Sequence, residues 1–94
     1  MPSVLIRHKI ANYAKWKQAV RAFKKFRKAS GEKSFCCYRS SASPNLVTVV
    51  CTWSTSAKMK RFIKSADLRK AMRSAGVVSK PEIQFLSNAE DLSV

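Results

Sequence analysis

The chain is poor in glycine, proline and acid. Two glycines and three prolines in 94 residues exclude a collagen-like or low-complexity polymer. Five acidic residues, of which only Glu90 and Asp91 are close in sequence, leave no carboxylate pair for acid–base catalysis. There is one histidine, His8, so a serine nucleophile has one candidate base and no triad emerges. No CxxC or HxxxH spacing and no glycine-rich phosphate loop occur, so neither a metal nor a nucleotide cofactor is expected. The longest apolar run, Leu46–Cys51, is interrupted by Thr48, far short of the roughly 20 residues that span a bilayer. The three cysteines, two of them adjacent at Cys36 and Cys37, form no disulfide framework. Free thiols in a reducing cytoplasm are the expectation.

What is present is a core and a charge. A content of 46% hydrophobic and 26% charged residues supports one folded domain over 1–94 and excludes a disordered tail. Nineteen Lys and Arg give a net charge of +14, which suits a negatively charged partner.

The patterning predicts six elements. Val4–Ile10 (VLIRHKI) is a first strand, bounded by Pro2 and Asn12. Asn12 is a good N-cap, and from Tyr13 the period becomes 3.6. At about 100° per residue, Tyr13, Val20 and Phe23 fall within about 60° of Trp16, and Ala19 and Phe26 flank them. Gly31 stands where this one long helix, through Ser30, should end. Lys33–Ser41 and Leu46–Trp53 read as a hairpin across Ser43, Pro44 and Asn45. Thr55 and its serine neighbours offer N-caps to a second helix, which breaks and restarts at Ser65 and closes at Gly76. Ser79–Leu86 is a last strand, placed at an edge by Pro81.

The order β-α-β-β-α-β is the ferredoxin-like, α+β arrangement, with two helices on one face of a four-stranded antiparallel sheet. The strand Leu46–Trp53 is apolar on both sides, with Val47, Val49 and Cys51 on one and Leu46 and Val50 on the other. The sheet face without helices therefore needs a second layer. A second copy of the chain, giving a face-to-face homodimer, is the simplest source. Arg7 and Glu82 fall on that face of neighbouring strands and are expected to pair there.

Several segments resemble one family: Ile6–Ile10 (IRHKI), Asn12 and Tyr13 with Lys15–Lys17 (KWK), Pro44 and Asn45 with Val47–Val49 (VTV), and Ser65 with Leu68, Ala71, Met72 and Ala75–Val77 (AGV). Together they are similar to the small dimeric α+β barrel proteins of the antibiotic-biosynthesis-monooxygenase-like superfamily. The resemblance covers nearly the whole chain. It implies the dimeric barrel fold and, more weakly, a site between sheet and helices for a hydrophobic or aromatic molecule, oxidised in some members without a cofactor. The superfamily's haem-degrading branch uses a first-strand Asn, a third-strand Trp and a helix His. Here Trp53 matches the Trp and His8 stands at the Asn position, but the helix His is absent and so is the axial ligand for haem.

The candidate ligand residues are His8, as general base, with Trp53, Tyr13, Trp16 and Phe62 as aromatic walls. The bland alternative is a half-buried histidine among ordinary core aromatics. Arg7, Glu82 and Val50 are the candidate interface residues. A different class of function, docking of nucleic acid or another polyanion, would use Lys17, Arg21, Lys24, Lys25 and Lys28 on the first helix with Lys60, Arg61 and Lys64 on the second. A structural dimer with neither activity is the third reading.

Overall fold

Asn12 has extended backbone, and its Oδ1 accepts the Lys15 N–H at 3.0 Å, which starts helix α1 (Tyr13–Ala22). Thr55 caps α3 (Ser56–Ile63) in the same way through Lys58 N–H, and Ser65 caps α4 (Ala66–Ser74) through Leu68 N–H. The computed structural model describes residues 1–93. Four strands complete it: β1 (Ser3–Lys9), β2 (Glu32–Arg39), β3 (Leu46–Trp53) and β4 (Glu82–Leu86). They form one antiparallel sheet in the order β2-β3-β1-β4, with the helices on one face. This is the ferredoxin-like α+β arrangement.

Along β3 the side chains alternate strictly. Val47, Val49, Cys51 and Trp53 are buried under the helices, and Leu46, Thr48, Val50 and Thr52 are half-buried on the open face. The register carries this across the sheet. Val4, Ile6 and His8 of β1 pair with Cys51, Val49 and Val47 and share the helix side. Trp16, Met59, Phe62, Leu68 and Ala75 close the core from above. On the open face Cys36, Val50, Leu5 and Gln84 form one row, and Tyr38, Thr48, Arg7 and Glu82 the next.

The first helix differs from the expected single rod. It divides at Phe23, where ψ falls to −1°, and resumes as α2 (Lys24–Ser30). The Val20 carbonyl, which an unbroken helix would bond to Lys24, accepts the Arg27 Nη2–H at 2.9 Å. A side chain taking a ladder carbonyl is a recognised cause of a bend. β4 begins at Glu82 rather than Ser79. The reason is that Ser79 Oγ accepts the Lys9 N–H at 2.8 Å and Val78 N–H bonds Lys9 O at 2.9 Å, which ends the β1 edge before Pro81. β4 is an edge strand, paired only with β1.

Gly31 turns the chain from α2 into β2 with φ +113°. A Cβ there would meet Ser54 Oγ at 2.9 Å and Lys58 Cδ at 3.0 Å, so both conformation and space require glycine.

Helix α1 carries no acid in its first turn, and its exposed Lys17 and Arg21 lie one turn apart. Such a like-charge pair costs roughly 0.2–0.5 kcal/mol, and the opposite pair gains as much. Lys17→Glu should therefore stabilise the fold by about 0.4–1 kcal/mol in urea unfolding at low salt. The gain should shrink in about 0.5 M NaCl, where the Debye length falls toward a few ångströms. An unchanged midpoint at low salt would show that the repulsion carries no cost.

Candidate functional site

His8 occupies the third helix-facing position of β1, after Val4 and Ile6. It is 4% exposed and meets Trp16 edge-on, with ring centroids 6.0 Å apart at 76°. Neither Nδ1 nor Nε2 has a hydrogen-bond partner. Buried polar groups are nearly always paired, so an orphaned imidazole marks the position. Burial lowers its pKa below 6.5, and the ring is neutral at pH 7. A neutral imidazole can accept a proton, as a general base must.

The histidine lines a cavity between the sheet and all four helices, with Ile6, Val49 and Cys51 as its floor and Trp16, Phe23 and Phe62 among its walls. The lining is almost wholly apolar. It offers about 80 Å³ of accessible space, several times the roughly 10–15 Å³ that one water needs. The whole depression, including its solvent-open mouth, measures about 580 Å³. The smaller figure decides what enters without movement, and it is below the roughly 150 Å³ that admits benzene. A ring must therefore displace lining side chains, of which Phe23 and Met72 are only half-buried. Methionine adapts readily to such a change.

The polar groups of the lining are His8, Arg27 and Glu32. Arg27 Nη1 donates to Glu32 Oε1 at 2.6 Å, and the two side chains are only 10% and 9% exposed. The guanidinium also lies over the Phe35 ring at 4.4 Å, while its Nε–H is buried without a partner. Burial pushes the Glu32 carboxyl above its usual range, and the Arg27 charge pulls it back. The Cys51 thiol is pushed up to about 11 by burial, so at neutral pH it is an inert thiol rather than a nucleophile.

Sequence reasoning overlooked this pair, although a signal exists. Arg27 stands eleven residues after Trp16, about 20° from it on a helical wheel, and so interrupts the apolar stripe with a charge. Glu32 lies just past Gly31, opposite Trp53 on the helix side of the sheet.

The other candidate residues are distributed as follows. Trp16 and Phe62 line the cavity. Trp53 is fully buried behind Phe62, with ring centroids 4.7 Å apart, and Tyr13 lies under the Arg39 guanidinium at 3.9 Å; neither borders the cavity. On the open sheet face Arg7 Nη1 is 3.5 Å from Glu82 Oε2, with both side chains half-exposed, and Val50 is half-buried between Leu5 and Cys36. Lys17, Arg21, Lys24, Lys25, Lys28, Lys60, Arg61 and Lys64 are all exposed and none reaches the cavity. Among the described residues no three His, Cys, Asp or Glu side chains group to hold a metal. No described helix is long and apolar enough to cross a membrane.

The lowered pKa of His8 has a defined consequence. Below about pH 6.5 the unfolded chain binds a proton at His8 that the folded chain refuses, so stability falls as pH falls through that value toward the folded pKa. Glu32 acts in the opposite sense, because its folded pKa is raised. Wild-type protein should lose more stability than His8→Leu between pH 7.5 and 5.5, read as urea midpoints. Parallel midpoints for the two proteins would show that His8 is not held neutral by burial.

No protein-family model and no curated protein sequence matches the chain. Solved structures do. A Bordetella bronchiseptica protein provisionally named an antibiotic biosynthesis monooxygenase superposes with a TM-score of 0.78 at 17% identity, over 95% of this chain and 97% of its own. SnoaB, a cofactor-independent oxygenase from Streptomyces nogalater, gives 0.78 at 12% identity, over 97% and 95%. A Nitrosomonas europaea protein of unknown function gives 0.71 at 14%, over 99% and 94%. The chain thus has the fold of these antibiotic-biosynthesis-monooxygenase-like α+β proteins.

Proposed function

We propose that the protein binds a hydrophobic or aromatic small molecule in the cavity between sheet and helices. The observation that carries this reading is the orphaned, buried His8 in an otherwise apolar cavity. An apolar pocket with a few convergent polar groups is the usual form of a ligand site. The likeness to structures that include a cofactor-independent oxygenase supports it.

The reading extends to oxidation without a cofactor. Neutral His8 would take a proton from an acidic CH₂ between aromatic rings, the carbanion would bond to O₂, and loss of the second C–H hydrogen with cleavage of O–O would complete the oxidation. One oxygen atom ends in the new C=O and the other leaves as water, so CH₂ and O₂ give C=O and H₂O. No other residue lining the cavity is a neutral base, since Glu32 is engaged by Arg27.

The protein is further read as a homodimer joined through the open sheet face. Leu5, Val50 and Cys36 form an apolar row there, and a sheet needs cover on both sides. The exposed cations of the helix layer remain on the outer surface in that assembly, and no contact or cavity in the structure favours assigning them a polyanion.

Trp16 borders the cavity, so titration with 1,4-naphthoquinone should quench tryptophan fluorescence saturably, and Trp53→Phe should retain that quenching. Linear, collisional quenching alone would remove the cavity as a binding site. With anthrone as substrate, His8→Ala should lower oxygen uptake by about 10²–10⁴-fold, the range of a general base. Uptake equal to wild type would end the role of His8 as base. Light scattering of the wild type at micromolar concentration should give twice the chain mass, and Val50→Lys should give monomer or unfolded chain. A monomeric wild type would contradict the dimer.

A further inference from the structure

At about 80 Å³ the cavity is too small for a ring as it stands, so part of its wall must move to admit one. Helix α2 is the helix held most weakly. Phe23, at its N-cap, gives it no side-chain hydrogen bond, whereas Asn12, Thr55 and Ser65 cap the other three. Lys24 and Lys25 stand in its first turn, where the helix dipole is already positive. Lys28 lies one turn after Lys24 and adds a like-charge pair. Seven residues are also too few for a helix to be stable by itself.

Packing does little to compensate. Lys24, Lys25, Phe26, Lys28 and Ala29 are exposed, Ser30 is half-buried, and Arg27 alone is buried. The other helices bury apolar side chains instead: Trp16 on α1, Met59 and Phe62 on α3, Leu68 on α4. The difference matters for opening. An apolar side chain gains nothing on returning to water, whereas a guanidinium and a carboxylate regain the hydration that burial took from them. The Arg27–Glu32 pair bridges α2 and β2 in the cavity wall. It therefore fixes the closed geometry, yet parts into water at low net cost. The chain on either side is anchored. Phe23 N–H bonds Ala19 O at 3.0 Å, and Gly31 O accepts Ser54 N–H at 2.9 Å. Segments of low local stability between firm ends are where binding lids occur.

We propose that α2 is the lid of the cavity, unfolding locally between Phe23 and Gly31 to admit a ligand and refolding over it, with Arg27–Glu32 as the latch. The inference rests on the cavity being a ligand site and adds how that site is entered. Opening withdraws Arg27 from the lining beside Val20 and Phe23 and clears the wall between α2 and β2.

Two measurements test the lid. In amide hydrogen exchange of the ligand-free protein, Arg27–Ser30 should exchange faster than Met59–Ile63 of α3. In stopped-flow tryptophan quenching by 1,4-naphthoquinone, Ala29→Gly changes an exposed residue outside the lining. It should raise the association and dissociation rates together by about two- to fivefold, the factor that an Ala-to-Gly change in a helix is worth, and leave Kd unchanged. Lys25→Glu, which puts an acid in the first turn, should lower both rates. Ala57→Gly, the same change at an exposed position of α3, should leave both as in the wild type. The rates move together because the ligand enters and leaves by one opening; a change in the cavity itself would move Kd. Exchange in α2 as slow as in α3 would overturn the lid. So would rates unchanged in both Ala29→Gly and Lys25→Glu, and saturable quenching would then leave the cavity a ligand site. Absence of saturable quenching would overturn the site and the lid together.

Discussion

A guanidinium and a carboxylate 2.6 Å apart, enclosed between helix α2 and strand β2, set more of this structure than any other contact. Desolvating two such ions costs several kcal/mol each, and only close geometry and further hydrogen bonds offset it. Arg27 meets that demand with Glu32, the Val20 carbonyl and the face of Phe35. The consequences spread from there. The first helix divides at Phe23, where Arg27 takes the Val20 carbonyl. The left-handed turn at Gly31 brings residues 27 and 32 together within five positions. The glycine then packs against Ser54 and Lys58, tying the helix layer to the end of β3.

The same pair decides the electrostatics of the cavity. Without Glu32 the arginine would present a buried positive charge to any occupant. With it, the site is neutral overall, and only an N–H is left to be satisfied. His8 is neutral for a different reason, because burial against Trp16 disfavours the imidazolium. A cavity with no net charge and an almost wholly apolar lining follows from these two independent causes.

The +14 charge lies outside this scheme. The cations of α1 and α3 point to water, and their mutual repulsion is weak because solvent screens it. The fold tolerates them because its stability comes from the layer between sheet and helices, where Trp53, Val4 and Val47 are fully buried. Charge and site therefore occupy separate shells of a small domain, and one says little about the other.

The sequence by itself determined the element order, the N-caps at Asn12, Thr55 and Ser65, the chain reversal at Gly31, and the sheet side on which His8 stands. These are local properties, set by periods of 2 and 3.6 residues and by backbone preferences a few positions long. The aromatic stripe was legible for the same reason, and so were Trp16 and Phe62 as residues of the helix–sheet layer. Which aromatics border open space was not. Trp53 of β3 and Phe62 of α3 both point into the helix–sheet layer, yet only packing in three dimensions puts Phe62 at the cavity and Trp53 behind it. The ion pair shows the boundary most clearly. Arg27 was not singled out from the sequence, although its place on the apolar stripe sets it apart from the other cations of that helix. Its ion-pair partner and the aromatic face under its guanidinium exist only because the sheet brings Glu32 and Phe35 beneath it, and desolvation, which gives that meeting its force, is a property of the folded interior alone.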